Sequence, residues 1–199
     1  MNVSDDNQLH ESCGVVGVYS PGEDAARVAF YVLFALQHRG QESAGIAVTD
    51  GDTIRSHVSM GLVAQVFHEE DLLRLVGNSA IGHTRYSTTG SNKLENCQPF
   101  IVEGVNGELA LGHNGNVINA KALRERLADW GCEFRTSTDS EVIAYLLANA
   151  PGNSWEDRAF YCMGNLQGAY SLTVLTHDSL LAIRDPLGVR PLCIGKLGN

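Results

Sequence analysis

The sequence runs to 199 residues, 44% hydrophobic and 19% charged, which suits one globular domain or at most two small ones around a sizeable core. A formal net charge of −9 argues against a nucleic-acid or anionic-membrane partner on global electrostatics, though not against a local basic pocket. No run approaches the ~18 apolar residues of a membrane span. The five cysteines, Cys13, Cys97, Cys132, Cys162 and Cys193, show neither a C-x-x-C pair nor an even count. That pattern excludes a disulfide framework and a zinc site and fits a reducing cytoplasm, so a soluble cytoplasmic protein is expected.

The first twelve residues are polar and acidic, with neither a basic start nor an apolar stretch, so they are not a secretory signal. CGVVGVY, residues 13–19, reads as a buried strand. From Asp24 to His38 apolar residues fall almost all round, without proline and with Gly40 just beyond, which predicts a helix covered on most sides. Strands are expected at Ser43–Thr49 and Thr53–Val58 across an Asp-Gly-Asp turn, a short helix at Glu69–Val76, and another strand at Ser79–Arg85. Residues Tyr86 to Pro99 are dense in Ser, Thr, Asn and Gly and read as a long irregular loop, the kind that is usually a functional lid or disordered. Strands resume at Phe100–Glu103 and Glu108–Gly112, followed by HNGN, residues 113–116.

Helices are predicted at Asn119–Trp130, from a Thr138/Glu141 capping box to about Asn149, and at Trp155–Leu166. Three strands are expected to close the chain, at Ala169–Thr176, Leu180–Arg184 and Leu192–Lys196. Strands in clusters with helices inserted in groups favour an α+β layered domain over a βαβ repeat. The last strand stops without a polar tail, which reads as a domain cut from something longer.

Four features could carry chemistry. A cysteine heading a buried strand, such as Cys13, is ordinarily a small core residue. Were the leader removed, however, Cys13 would hold a thiol of pKa ~8.5 and an α-amine of ~7.7–8.0 on one residue, a nucleophile with its own base. Arg85, at the end of a strand before a Ser/Thr loop, is either a surface arginine or a bidentate clamp for a carboxylate. Asn114-Gly115 is either a hairpin turn or a side-chain amide and a backbone N–H aimed at one point, an oxyanion hole. Asp139, in the first turn of a helix, either complements the helix dipole or binds an ammonium group. Together these are what hydrolysis of a free amino acid's side-chain amide requires.

CGVVG after a short leader, LQHRGQESAGIAV (36–48), HTRYSTTG (83–90), HNGN, STDSE (137–141) and RDPLGVRPL (184–192) resemble the class II glutamine amidotransferases, and most of all their purine-pathway branch. The motifs span nearly the whole chain in the family's order. The resemblance implies an N-terminal nucleophile hydrolase fold, a four-layer α/β/β/α sandwich of two antiparallel sheets. It implies a leader at residues 1–12, removed autocatalytically, and a glutaminase domain at residues 13–199.

By the same resemblance Cys13 attacks the glutamine amide and releases ammonia, and Asn114 and Gly115 stabilise the oxyanion. Arg85 holds the α-carboxylate, Asp139 the α-ammonium, and Thr88 lines the site from a loop, Tyr86 to about Cys97, that closes over glutamine. Arg39 and Gly40 support the nucleophile, and Asp185–Pro191 is a structural turn. Cys97 departs from the small residue expected before Gln-Pro.

A phosphoribosyltransferase domain, which in this branch would follow in cis and use the ammonia to turn phosphoribosyl pyrophosphate into phosphoribosylamine for de novo purine synthesis, has no motif here. Magnesium with phosphoribosyl pyrophosphate, and an iron–sulfur cluster in some relatives, would go with that domain, as would a homo-oligomer of the full-length chain. No cofactor is expected in the glutaminase domain. The alternatives are a glutamate synthase or sugar-amidating type of the same class, or a non-catalytic glutamine-binding module with an uncut leader.

Overall fold

The computed structural model describes residues 13–86 and 93–198; the leader and Thr88 lie outside them. Eight strands and six helices follow in the order β1 (Gly14–Tyr19), α1 (Ala25–Ala35), β2 (Ser43–Thr49), β3 (Ile54–Met60), α2 (Val63–Val66), α3 (Glu69–Arg74), β4 (Ser79–Arg85), β5 (Phe100–Gly104), β6 (Gly107–Val117), α4 (Ala120–Asp129), α5 (Asp139–Ala148), α6 (Trp155–Asn165), β7 (Gly168–Leu175) and β8 (Leu180–Arg184). The strands form two four-stranded antiparallel sheets, ordered β1-β4-β2-β3 and β5-β6-β7-β8.

The two sheets lie face to face. Between them sits a thin layer of Ala47, Ile81, Ala110 and Leu175, small or slender residues that let the sheets approach closely. On the outer face of the first sheet lies α1, whose buried stripe is Ala25, Ala26, Ala29 and Leu33. Three alanines let the helix axis settle close to the strands, and Asp24 caps it by accepting from the Arg27 N–H at 3.0 Å. On the outer face of the second sheet, α5 is buried almost all round against β5, β6, α4 and α6. The result is helix, sheet, sheet, helix, the four-layer α+β arrangement expected.

Four local expectations need correction. The strand expected to end at Gly112 does not: β6 runs on through HNGN, with Asn114 opposite Ser171 and Gly115 opposite Tyr170, which leaves no hairpin turn there. Pairing with β7 overrides the local Asn-Gly preference, and a Cβ on Gly115 would overlap the Ala169 main-chain oxygen. The third closing strand is absent. Residues 185–198 make no ladder, and Ile194 is 88% exposed, so the apolar alternation at 192–196 has no neighbouring strand to join among the described residues.

The capping box at Thr138 is half made. Thr138 Oγ1 accepts from the Glu141 N–H, but the Glu141 carboxylate turns back to take the N–H groups of Arg135 and Thr136 at 2.8 and 2.9 Å. Finally, α1 ends earlier than expected and hands over to a 3-10 turn at Gln37–Arg39; Gly40 is extended rather than a left-handed cap. Its lack of a Cβ matters for another reason, since one would lie 2.6–2.7 Å from the Thr84 and Arg85 backbone.

Candidate active site

Strand order assembles the site. β1 starts where β4 ends, with Gly14 opposite Thr84, so Cys13 falls beside Arg85 and Tyr86. The Tyr86 N–H donates to Cys13 Sγ at 3.5 Å, and the thiol lies 3.6 Å from the Tyr86 carbonyl. Arg39 Nε donates to the Cys13 carbonyl at 3.4 Å. Burial pushes the Cys13 thiol up, only partly offset by the Tyr86 backbone and the Arg85 charge. A thiol in that setting is protonated at neutral pH and needs a base to react.

Arg85 is 5% exposed, and its Nη1 is buried without a hydrogen-bond partner among the described residues. A guanidinium held in this way is costly unless an anion completes it. Across the space stands the N-terminus of α5. Asp139 Oδ2 accepts from the Val117 N–H at 2.9 Å, which ties the carboxylate to the end of β6. Cys13, Arg85, Tyr86, Gly115, Asp139 and Ser140 are among the residues lining one cavity of about 400 Å³. An amino acid with a short side chain fits such a volume, with a cation and an anion at fixed places on its wall.

A second cavity, about 730 Å³ and more apolar, adjoins it. Cys13 lines both, and Asn114 lines the second together with Val16, Leu36 and Leu180. Of the residues singled out from sequence, Cys13, Arg85, Gly115 and Asp139 therefore share one cavity. Asn114, buried on the neighbouring position of β6, faces the adjoining one. Asp185 serves the turn expected of it: its carboxylate accepts from the N–H groups of Leu187, Val189 and Tyr170. Cys97 is buried with its thiol 3.3 Å from Met60 Sδ.

Sequence reasoning missed a buried polar cluster on the same wall. Gln98 Oε1 accepts from the His113 N–H at 2.7 Å, and its Nε2 donates to Ser140 Oγ at 3.0 Å. His113 Nδ1 lies 2.9 Å from the same hydroxyl. Ser140 stands inside the STDSE motif and Gln98 in the stretch read as a loop, but nothing in their local spacing marks them as partners 42 residues apart.

Two imidazoles in this region are buried and neutral. Burial holds His83 down to about 3, and it lowers His113 against the opposing pull of Asp139. The unfolded chain takes up these protons near 6.5 and the folded one resists them, so their contribution is full above that pH and shrinks as pH falls below it, for His83 down to about 3. Between about pH 7.5 and about pH 5 His83 alone should remove about 2 kcal/mol, and His113 acts in the same direction. The urea midpoint should therefore drop over this interval; a flat midpoint would mean that the imidazoles are not kept neutral.

A family model described as a glutamine amidotransferase domain matches residues 83–199. The amidophosphoribosyltransferase of a Synechocystis species is 50% identical over 190 residues, which cover 94% of this chain and 38% of that protein. The human amidophosphoribosyltransferase is 47% identical over 95% of this chain and 40% of its own length. Two solved structures align at 40% identity, each over 93% of this chain and 40% of theirs. One is glutamine phosphoribosylpyrophosphate amidotransferase from B. subtilis complexed with ADP and GMP, with a TM-score of 0.83. The other, described as the allosteric regulatory enzyme of purine biosynthesis, gives 0.86. The chain thus spans about two fifths of the length of these relatives.

Proposed function

The chain belongs to the family of glutamine amidotransferase domains, and it has the N-terminal nucleophile fold of its solved relatives; from that premise we propose that it hydrolyses glutamine to glutamate and ammonia with Cys13 as nucleophile. One observation carries this reading: Cys13, the Arg85 guanidinium, whose Nη1 has no hydrogen-bond partner among the described residues, and the Asp139 carboxylate converge on a single cavity of amino-acid size.

In this reading Arg85 takes the α-carboxylate and Asp139 the α-ammonium, which aims the side-chain amide at Cys13. The thiol attacks the amide carbon, and Asn114 and Gly115 stabilise the oxyanion. Ammonia departs, a glutamyl thioester remains, and water releases glutamate. The raised thiol needs a base close by. Removal of residues 1–12 would supply one, because the freed α-amine titrates at ~7.7–8.0 and sits on the same residue. Thr88 and its loop, beyond the described residues, would complete the pocket.

Ammonia is uncharged and crosses apolar space readily, and the second cavity places such space directly behind Cys13. Similarity to amidophosphoribosyltransferases makes phosphoribosyl pyrophosphate the proposed acceptor, in a domain that follows in cis. Magnesium, any iron–sulfur cluster and a homo-oligomeric state belong with that domain, and the glutaminase half works without a cofactor of its own. A cytoplasmic location is part of the proposal. Its support is that all five cysteines are unpaired and that no described helix is long and apolar enough to cross a membrane.

The test is release of glutamate and ammonia in equal amounts from glutamine by the purified protein; no release by a correctly processed chain would refute the proposal. Arg85→Lys should raise the glutamine KM on the order of 10–100-fold through loss of a charge-assisted bidentate contact, with a smaller change in kcat. An unchanged KM would remove Arg85 from the carboxylate site.

A further inference from the structure

We propose that Gln98 and Ser140 are positioning residues that fix the Asp139 carboxylate for the substrate's α-ammonium, an inference that rests on the proposed role of Asp139. Counting protons gives the argument. Ser140 Oγ has one proton and two lone pairs. Gln98 Nε2 occupies one lone pair at 3.0 Å, leaving one lone pair and one proton. The remaining neighbours are His113 Nδ1 at 2.9 Å and Asp139 Oδ1 at 3.4 Å.

If His113 carries its proton on Nδ1, it donates to Ser140, and the Ser140 hydroxyl is free to donate to the Asp139 carboxylate. If the proton is on Nε2, Ser140 must donate to His113 instead, and Asp139 Oδ1 loses its donor. His113 Nε2 is buried without a partner in either case, so it does not decide. The carboxylate charge does, because a hydrogen bond to an ionised acceptor is about twice as strong as a neutral one. The chain therefore runs from Gln98 and His113 into Ser140 and from Ser140 into Asp139.

Its far end is anchored too. Gln98 Oε1 holds the His113 N–H at 2.7 Å, one residue before Asn114, and His83 Nε2 faces the His113 carbonyl at 3.1 Å. With Val117 N–H on Oδ2, both oxygens of Asp139 are then oriented, one from β6 and one through the relay. Gln98 sits two residues before β5, so one side chain links the approach to that strand, the β6 strand and the ammonium site. Gln98, His113 and Ser140 are all buried, which shields these bonds from bulk solvent.

The experiment compares glutamine with glutaramate, which is glutamine without its α-amino group, in the purified protein. Ser140→Ala should raise the glutamine KM about tenfold and leave the glutaramate inhibition constant and kcat within about twofold. A purely structural defect would weaken both ligands alike, and that result would overturn the proposal. Gln98→Met, close in shape but without either polar atom, should give the same selective loss, and it carries the test if Ser140→Ala does not fold. Asp139→Asn separates the two layers of inference. If Asp139→Asn does not weaken glutamine more than glutaramate, the ammonium assignment is wrong; if it does and neither Ser140→Ala nor Gln98→Met does, only the relay is wrong.

Discussion

Cys13→Ala is expected to lower the rate of glutamine hydrolysis on the order of 10⁴-fold or more while leaving glutamine affinity nearly unchanged. The methyl group removes the attacking sulfur but not the groups proposed to bind the amino acid. Arg85 is held in the sheet at β4, and Asp139 is tied to Val117 and the N-terminus of α5, so neither depends on the thiol for its place. The opposite expectation follows if Cys13 is a small packing residue: a modest loss of stability and an intact rate. Initial rates of glutamate formation, with equilibrium binding of glutamine to the same variant, tell these apart. A rate within tenfold of the parent would remove Cys13 from the chemistry.

Asn114→Ala should cut kcat on the order of 10²–10³-fold, about 2.7–4 kcal/mol of transition-state stabilisation, with little effect on KM. The reason is that an oxyanion donor meets full negative charge only after attack has begun. Asn114 is buried on β6 next to Gly115, and it lines the apolar cavity that Cys13 also faces, where a donor is worth more than in water. Steady-state kinetics provide the check. An unaltered kcat would move the oxyanion site to other donors, and a rise in KM alone would make Asn114 a ground-state contact.

The fold was legible wherever local pattern and pairing agreed. A strand is expected at Ser79–Arg85, ending where the Ser/Thr-rich stretch begins, and β4 occupies those residues. The helix begun at Thr138 could be placed because its cap is a neighbour in sequence. Where local preference and pairing disagree, the sequence misleads. Asn114-Gly115 has the chemistry of a turn, yet β7 lies alongside and holds it in the ladder. Residues 192–196 have the alternation of a strand and no partner.

The site follows the same rule. Cys13 and Arg85 could be picked out one at a time, because each stands at a strand end. Their proximity depends on β1 lying beside β4, which no short-range spacing encodes. Gln98 and Ser140 escaped notice because a polar residue near a proline and a serine in a helix's first turn each have ordinary local explanations. Only the folded chain brings the amide, the hydroxyl and His113 within 3.0 Å of one another.

The central claim is that Cys13 acts as an N-terminal nucleophile, and the intact mass of the protein fraction that turns over glutamine tests it most directly. Active molecules should begin at Cys13, with residues 1–12 gone and the α-amine free. Full activity from a chain that still carries those residues would contradict the claim, because the base that the thiol needs would then be an amide.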